Sequence, residues 1–485
     1  MNSINRLAVA GAMVALAAAP AAAYEGWPQN YEGVMYQAFY WDSYTETKWT
    51  NLTSQADELS QYFNLIWVPN SAQCSGGNNM GYMPVYWFPR HHSSSFGRES
   101  ELKTMIQTFK EKGTGFIADV VINHRAGNGN WYNFPAETWR GKRYQLTEGC
   151  ITSGDEVWKN GGHGCPESYK GGPDTGDDFD GARDLDHNNE TVQEHCIAYQ
   201  TALLEDLGYV GFRLDMVKGY TAKATKKYNE ATQPQFSVGE YWDSYGTIRS
   251  WILSGGKTSA AFDFPLKYAL RDAFQAKDMT KLVTQVGRDK VNQPNGVIKN
   301  EELKQFAVTF VDNHDTATPG TGASGNEFKG DIPAANAFIL CSPGTPCVFM
   351  KHWLSYKDEI KRMIDIRKAV GIHNMSQVVV LRAEKNVYQA EVTGTRGTLV
   401  VSVGTDLGAP VGYGDADVKA SGSQYKIWTK VDVDAYHAGI DDIPADIDQN
   451  DGPAVYYNLQ GVQVTPSAPG IYIKVQGNKS SKVIF

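Results

Sequence analysis

Four short segments of the chain end an apolar run with residues able to do acid–base or ionic chemistry. DVVINH supplies Asp119, Asn123 and His124, and GFRLDMVKG supplies Arg213, Asp215, Lys218 and Gly219. GEYWD supplies Glu240, and FVDNHD supplies His314 and Asp315. A single Asp after a strand is ordinarily a turn or capping residue. Four such clusters in order, each closing its own apolar strand, have no simple structural explanation. Cleaving a glycosidic bond takes one carboxylic acid to protonate the leaving oxygen and one carboxylate on the other face of the sugar. Asp215 and Glu240 end consecutive strand-like runs and suit that pair. Arg213 lies two residues before Asp215, on the same face of an extended strand, where its charge should keep Asp215 ionised as a nucleophile. Glu240 follows the apolar FSVG, surroundings that raise a carboxyl pKa and retain its proton. Asp315 is a third carboxylate suited to a developing oxocarbenium centre, and His124 and His314 can donate hydrogen bonds to sugar hydroxyls.

Such residues need a frame to converge on. Apolar runs begin at Gly33 (GVMYQAFYW), Asn64 (NLIWVP), Gly115 (GFIADVVI) and Gly208 (GYVGFRLD). Others begin at Gln235 (QFSVGEY), Ala260 (AAFDF), Gln305 (QFAVTFVD) and Pro346 (PCVFM). Between them, stretches such as ELKTMIQTFKEKG from Glu101 and VQEHCIAYQTALLEDLG from Val192 repeat apolar residues at three- and four-residue steps, as one-sided helices do. Strands alternating with helices imply parallel βαβ units, and eight of them fit an α/β (β/α)₈ TIM barrel, whose sites gather at the C-terminal ends of its strands. An open doubly wound sheet is the competing architecture, but no GxGxxG follows the first strand and no P-loop occurs.

The Gly-, Asn-, Asp- and Trp-rich interval after His124 is too long for a bare loop and reads as an inserted domain following strand three. Beyond Gly371 the pattern changes to short alternating strands, VVVLRAEKNVYQAEVTG and GTLVVSVG, of an antiparallel β domain. The expected division is a signal peptide at 1–23, a barrel over 24–124 and 185–371, the insert at 125–184, a β domain at 372–437, and an acidic linker with a small β tail at 438–485. The leader has Arg6, an apolar run from Leu7 and Ala21-Ala22-Ala23 before Tyr24, which reads as an export signal. No other segment approaches a membrane span. In an exported chain, six cysteines permit disulfides, with Cys150–Cys165 and Cys341–Cys347 as local pairs. The net charge of −9 argues against nucleic-acid binding. The 12% aromatic content suits a neutral polymer with flat sugar faces, and Trp131, Trp139, Trp158 and Trp251 are candidate platforms if exposed.

Together the four clusters resemble the ordered motifs of the α-amylase family, glycoside hydrolase family thirteen. The resemblance runs from about Gly33 to Gly371, and GYMPVYWF from Gly81, IADVVINHR from Ile117 and GPDTGDDFDGARDLDHNN from Gly172 are similar to plant-type members. It implies a secreted, endo-acting enzyme that hydrolyses internal α-1,4 bonds of starch- or glycogen-like α-glucans with retention. Asp215 would be nucleophile, Glu240 general acid/base and Asp315 transition-state stabiliser. Tyr82 would stack on the sugar at the cleavage subsite, lined also by His124, Arg213 and His314, with Lys218 on the leaving-group side. The resemblance also implies Ca2+, held by Asn123, Asp174, Asp178 and Asp184 side chains with carbonyls of Asp177 and Gly219; the four aspartates fall within eleven positions and offer the hard oxygens that calcium prefers. Many members carry His where this chain has Gly219, and the C-terminal tail lies outside the resemblance. The alternatives are a transglycosylase of the same family or a glucan-binding protein without catalysis. The expected partner is the α-glucan alone, met by a monomer.

Overall fold

The structure, a computed structural model, describes residues 24–158, 165, 167–317 and 325–436, together with strands Val455–Tyr457, Gln463–Val464, Ile471–Gln476 and Lys479–Ile484. The export signal read at 1–23 and the acidic linker from Ala438 lie outside these residues.

Each of the eight apolar runs marks a strand: β1 Met35–Gln37, β2 Leu65–Val68, β3 Gly115–Val120, β4 Gly211–Leu214, β5 Phe236–Gly239, β6 Ala260–Phe262, β7 Ala307–Phe310 and β8 Thr345–Phe349. All pair in parallel with their sequence neighbours, and β1 closes on β8. The strands are covered on both faces, so they read as continuous apolar runs rather than alternations. The register sets Asp119 on β3 directly beside Arg213 on β4.

The outer helices follow the expected periodicity. Helix Glu99–Lys110 buries Leu102, Met105, Ile106 and Phe109, and Glu101 caps it by accepting from the Arg98 amide at 2.8 Å. Helix Glu190–Ala202 starts two residues before the apolar run, at an Asn189 side chain that accepts from the Thr191 N–H. It then widens into a π-turn over Leu203–Leu207 that ends at Gly208, whose φ of 89° suits glycine.

Between β3 and β4 the described residues form short strands and single turns. The bridge of His124–Arg125 with Arg183–Asp184 forms a neck, and Glu137–Trp139 with Lys142–Tyr144 forms a hairpin. Buried ion pairs hold these pieces. Arg125 meets Glu137 at 2.7 Å, and Glu137 also accepts from the Trp87 and Phe88 amides. Arg183 pairs with Asp155 at 3.2 Å and with Glu156.

After helix Lys357–Val370 comes an antiparallel sheet of β9 Gln377–Glu384, β10 Val387–Thr393, β11 Thr398–Gly404, β12 Val418–Ser421 and β13 Tyr425–Thr429, in the order β9-β10-β11-β13-β12. Residues 434–485 form a separate unit, whose described strands make a four-stranded antiparallel sheet.

Two expectations need correction. Cys150–Cys165 and Cys341–Cys347 are not disulfides, and all six cysteines are free thiols. Cys341 caps the end of helix Ile332–Leu340, whereas Cys347 is held in β8 by ladders to β1 and β7. Burial pushes the Cys341 and Cys196 thiols up to about 12, which suppresses the thiolate that disulfide chemistry needs. Trp158 and Trp251 are buried and offer no surface platform; Trp131 is exposed and Trp139 half-buried. No helix among the described residues is long and apolar enough to cross a membrane.

Candidate active site

The four motif clusters converge at the C-terminal ends of β3, β4, β5 and β7 around one guanidinium. Arg213 is fully buried, and its Nη1 lies 2.8 Å from Asp119 and 2.6 Å from Asp215, while its Nη2 lies 2.8 Å from Glu240. Asp215 leaves β4 just before Met216, whose backbone is left-handed at φ 42°. Such a conformation costs a non-glycine residue about 1 kcal/mol or more and is tolerated where function fixes it. Here it accompanies a Met216 N–H that donates to Glu240 Oε2 at 2.9 Å. Asp315 stands in an Asx turn, in which Asn313 Oδ1 accepts from the Asp315 and Thr316 amides.

Burial dominates the electrostatics. It raises both Asp215 and Glu240, and Arg213 opposes it; the Glu240 charge further raises Asp215, and the Asp315 charge further raises Glu240. Both carboxyls thus stand above the ordinary carboxylate range, joined through the one guanidinium that each contacts. Arg213 lies against Asp215, as expected, and favours its ionised form. Its single charge is divided among Asp119, Asp215 and Glu240, and desolvation outweighs it. Burial also lifts Asp315 to about 6. It lowers His124 to about 4 and His314 to about 3, leaving both imidazoles neutral at pH 7.

Around this centre, Tyr82 Oη lies 3.0 Å from Asp119 Oδ2 and 2.6 Å from His314 Nε2, and His124 Nε2 lies 2.9 Å from the Tyr82 carbonyl. Tyr82, His314 and Trp41 are nearly parallel, with interplanar angles of 9° and less. Lys218 stands further out, half-buried, with Nζ 3.1 Å from Asp177 and 3.8 Å from Asp243. Sequence reasoning gave no role to Asp119, although it named the residue, and missed Gln37, Trp41 and Trp67. Asp119 accepts from Trp67 Nε1 at 3.2 Å as well as from Arg213 and Tyr82. A detectable signal for Gln37 was its place as the one polar side chain in the β1 triplet.

Beside the mouth lies a second acidic cluster. Ligand oxygens of Asp174, Asp178 and Asp184 lie within 4.8 Å of one another, a group able to hold a metal ion. Asn123 Nδ2 donates to Asp184 at 3.1 Å, and the Asp177 amide donates to the Lys218 carbonyl at 3.0 Å. A Cβ on Gly219 would fall 1.8 Å from Asn123 Oδ1, so the bare glycine backbone lets that side chain approach closely. All six residues expected around a metal thus gather in one place. Two observations make them fit a divalent cation. Asp174 Oδ2 is buried without a hydrogen-bond partner. Burial and the neighbouring aspartates push Asp184 up to about 8, as expected of crowded carboxylates without a cation among them.

Comparison with known proteins follows the same lines. Residues 177–380 match the α-amylase catalytic domain, and residues 369–429 match the α-amylase C-terminal β-sheet domain. A probable α-amylase 2 of Arabidopsis thaliana is 32% identical over 417 residues, covering 82% of this chain and 94% of its own. A chloroplastic α-amylase 3 of the same plant is 30% identical over 81% of this chain and 44% of its own length. Among solved structures, an α-amylase from Geobacillus thermoleovorans superposes with a TM-score of 0.54 over 77% of this chain and 86% of its own, at 15% identity, a likeness of fold alone.

Proposed function

The chain belongs to the α-amylase family, and on that footing we propose that it hydrolyses internal α-1,4 bonds of starch- and glycogen-like glucans with retention of configuration. The observation that carries this reading is the shared guanidinium. Arg213 touches Asp215 and Glu240 at 2.6 and 2.8 Å, so two carboxyls from adjacent strands face one cleft.

In the proposed reaction an Asp215 carboxylate oxygen attacks the anomeric carbon as the glycosidic C–O bond breaks. Glu240 gives its proton to the departing oxygen. Glu240 then takes a proton from water, whose oxygen displaces Asp215 from the same carbon. Asp315 stabilises the oxocarbenium-like charge. Neutral His124 and His314 offer hydrogen bonds to sugar hydroxyls, Tyr82 offers its ring face, and Lys218 lies on the leaving-group side.

Asn123, Asp174, Asp178 and Asp184, with main-chain oxygens of Asp177 and Gly219, would hold Ca2+. Bound there, the ion would neutralise the acidic cluster and tie the segment between β3 and β4 to the barrel. The leader-like composition of residues 1–23 supports export.

The test is soluble starch, followed by viscosity and reducing ends, with and without a calcium chelator. A viscosity fall that outpaces reducing-end release, and that fades in chelator, is expected. A folded sample that binds glucan and releases nothing overturns the reading in favour of a binding protein. Chain-length redistribution without net hydrolysis favours a transglycosylase.

A further inference from the structure

Gln37 ends β1 with its side chain fully buried, and its Nε2 lies 3.0 Å from His314 Nδ1. Four aromatic rings wall the imidazole: Phe39 at 4.9 Å, Tyr82 at 5.4 Å, Trp67 at 5.5 Å and Trp41 at 6.1 Å between centroids. On the far side, His314 Nε2 faces Tyr82 Oη at 2.6 Å and Asp315 Oδ2 at 3.2 Å, and Tyr82 Oη faces Asp119 Oδ2 at 3.0 Å.

Only one arrangement of protons satisfies this chain. Asp119, held by Arg213, accepts only, so Tyr82 donates its single proton there. Tyr82 Oη must then accept from His314, which places a proton on Nε2 and leaves Nδ1 as an acceptor for the Gln37 N–H. With the Gln37 amide turned over, Nδ1 would carry the proton. Tyr82 would then donate to Nε2 and confront Asp119 with no proton between them, and Asp315 would face a lone pair. The cost of the favoured arrangement is visible too, because Gln37 Oε1 is buried without a partner.

We propose that Gln37 is a positioning residue that fixes His314 as the Nε2–H tautomer, whose single N–H, given to Tyr82 Oη in this structure, turns to the reacting sugar beside Asp315 when substrate binds. This rests on the hydrolase reading of the site, because the sugar is what the donor serves. A neutral imidazole in the wrong tautomer would present a lone pair where the transition state needs a proton, as the fixing of tautomers by a second hydrogen bond requires.

The test pairs spectroscopy with kinetics. Long-range 1H–15N correlation spectra of histidine-labelled protein, with His314 assigned by its loss in His314→Gln, should show Nε2–H in the native chain. Gln37→Glu, an acceptor at this position, should move the proton to Nδ1 or load both nitrogens. It should lower kcat on starch about 10²–10³-fold with KM nearly unchanged, the loss typical of one transition-state donor. Gln37→Leu keeps the volume without a donor; it should mix the tautomers and lower kcat about tenfold, and it decides the matter if Gln37→Glu does not fold. An Nδ1–H pattern in the native chain, or a native pattern and rate in the variants, overturns the proposal. The spectra need no substrate, so a chain that fails to cleave starch removes the hydrolase reading while the tautomer is still determined.

Discussion

Two clusters of three acidic side chains lie near one another at the mouth of the barrel, and they answer the same electrostatic problem in opposite ways. Around Arg213, the carboxylates of Asp119, Asp215 and Glu240 face a buried guanidinium supplied by the chain itself. Around Asp174, Asp178 and Asp184 the carboxylates crowd one another, and a buried Asp174 oxygen has no hydrogen-bond partner. A built-in cation completes the first cluster. In the proposed reading the second takes its cation from solution and acts as a staple whose strength depends on the medium. The sharpest break in this comparison comes from Asp215→Asn. It removes the proposed nucleophile while leaving Arg213 its partners Asp119 and Glu240, so kcat should fall about 10⁵-fold or more with little change in melting temperature. Turnover near the native rate would remove Asp215 from that role.

A third carboxyl extends the contrast. Asp263 is fully buried with no direct cation partner; its oxygens accept from the amides of Leu266, Val297 and Ile298 at 3.1, 2.7 and 3.3 Å. Burial outweighs these donors and raises it from the ordinary 3.8 to about 7. The folded chain therefore holds a proton that the unfolded chain releases from about pH 4 upward. The stability this group contributes is present below pH 4, falls between pH 4 and pH 7, and changes no further above that. The slope is at most about 1.4 kcal/mol per pH unit. Denaturant midpoints across that window should decline less steeply for Asp263→Asn than for the native chain. Parallel slopes would mean that Asp263 is ionised in the fold throughout.

The parts legible in the sequence are those in which local pattern and burial agree. Seven of the eight barrel strands fall wholly inside their apolar runs and β8 starts one residue before its own, because strands covered on both faces leave a continuous signature. The site residues stand out because each of their clusters ends such a run. What escaped were relations between distant residues. No spacing shows that Arg213 serves three carboxylates at once, and that sharing is why burial prevails at Asp215. No periodicity shows that Arg125–Glu137 and Arg183–Asp155 hold the segment after β3 together. Two cysteines six positions apart looked like a pair, yet one caps a helix and the other lies within β8. Gln37 was a single polar letter in an apolar run, and its meaning depends on a histidine 277 residues away.

The open cluster gives the next test. Calcium at about a hundredfold excess over its dissociation constant should stabilise the chain by about 2.7 kcal/mol, which for a protein of this size is about 3 °C of melting temperature. Chelator should remove the difference, and Asp174→Asn should shrink it. Identical melting curves with and without calcium would leave the acidic cluster as a solvated surface.

Lys218 lies between the two regions and carries the smallest expected effect. Its Nζ pairs with Asp177 at 3.1 Å, but the Lys218 and Asp177 side chains are 30% and 59% exposed, and pairs this open contribute less than about 1 kcal/mol. Lys218→Met should therefore leave the melting temperature within about 1 °C of native, calcium present or not. If the ammonium instead serves the leaving-group side, KM for maltooligosaccharides should rise severalfold with kcat nearly unchanged, the mark of lost uniform binding. A melting temperature lowered as far as chelation lowers it would place Lys218 in the structural staple. The two acidic clusters would then be one coupled device, joined through the Lys218 carbonyl that accepts from Asp177.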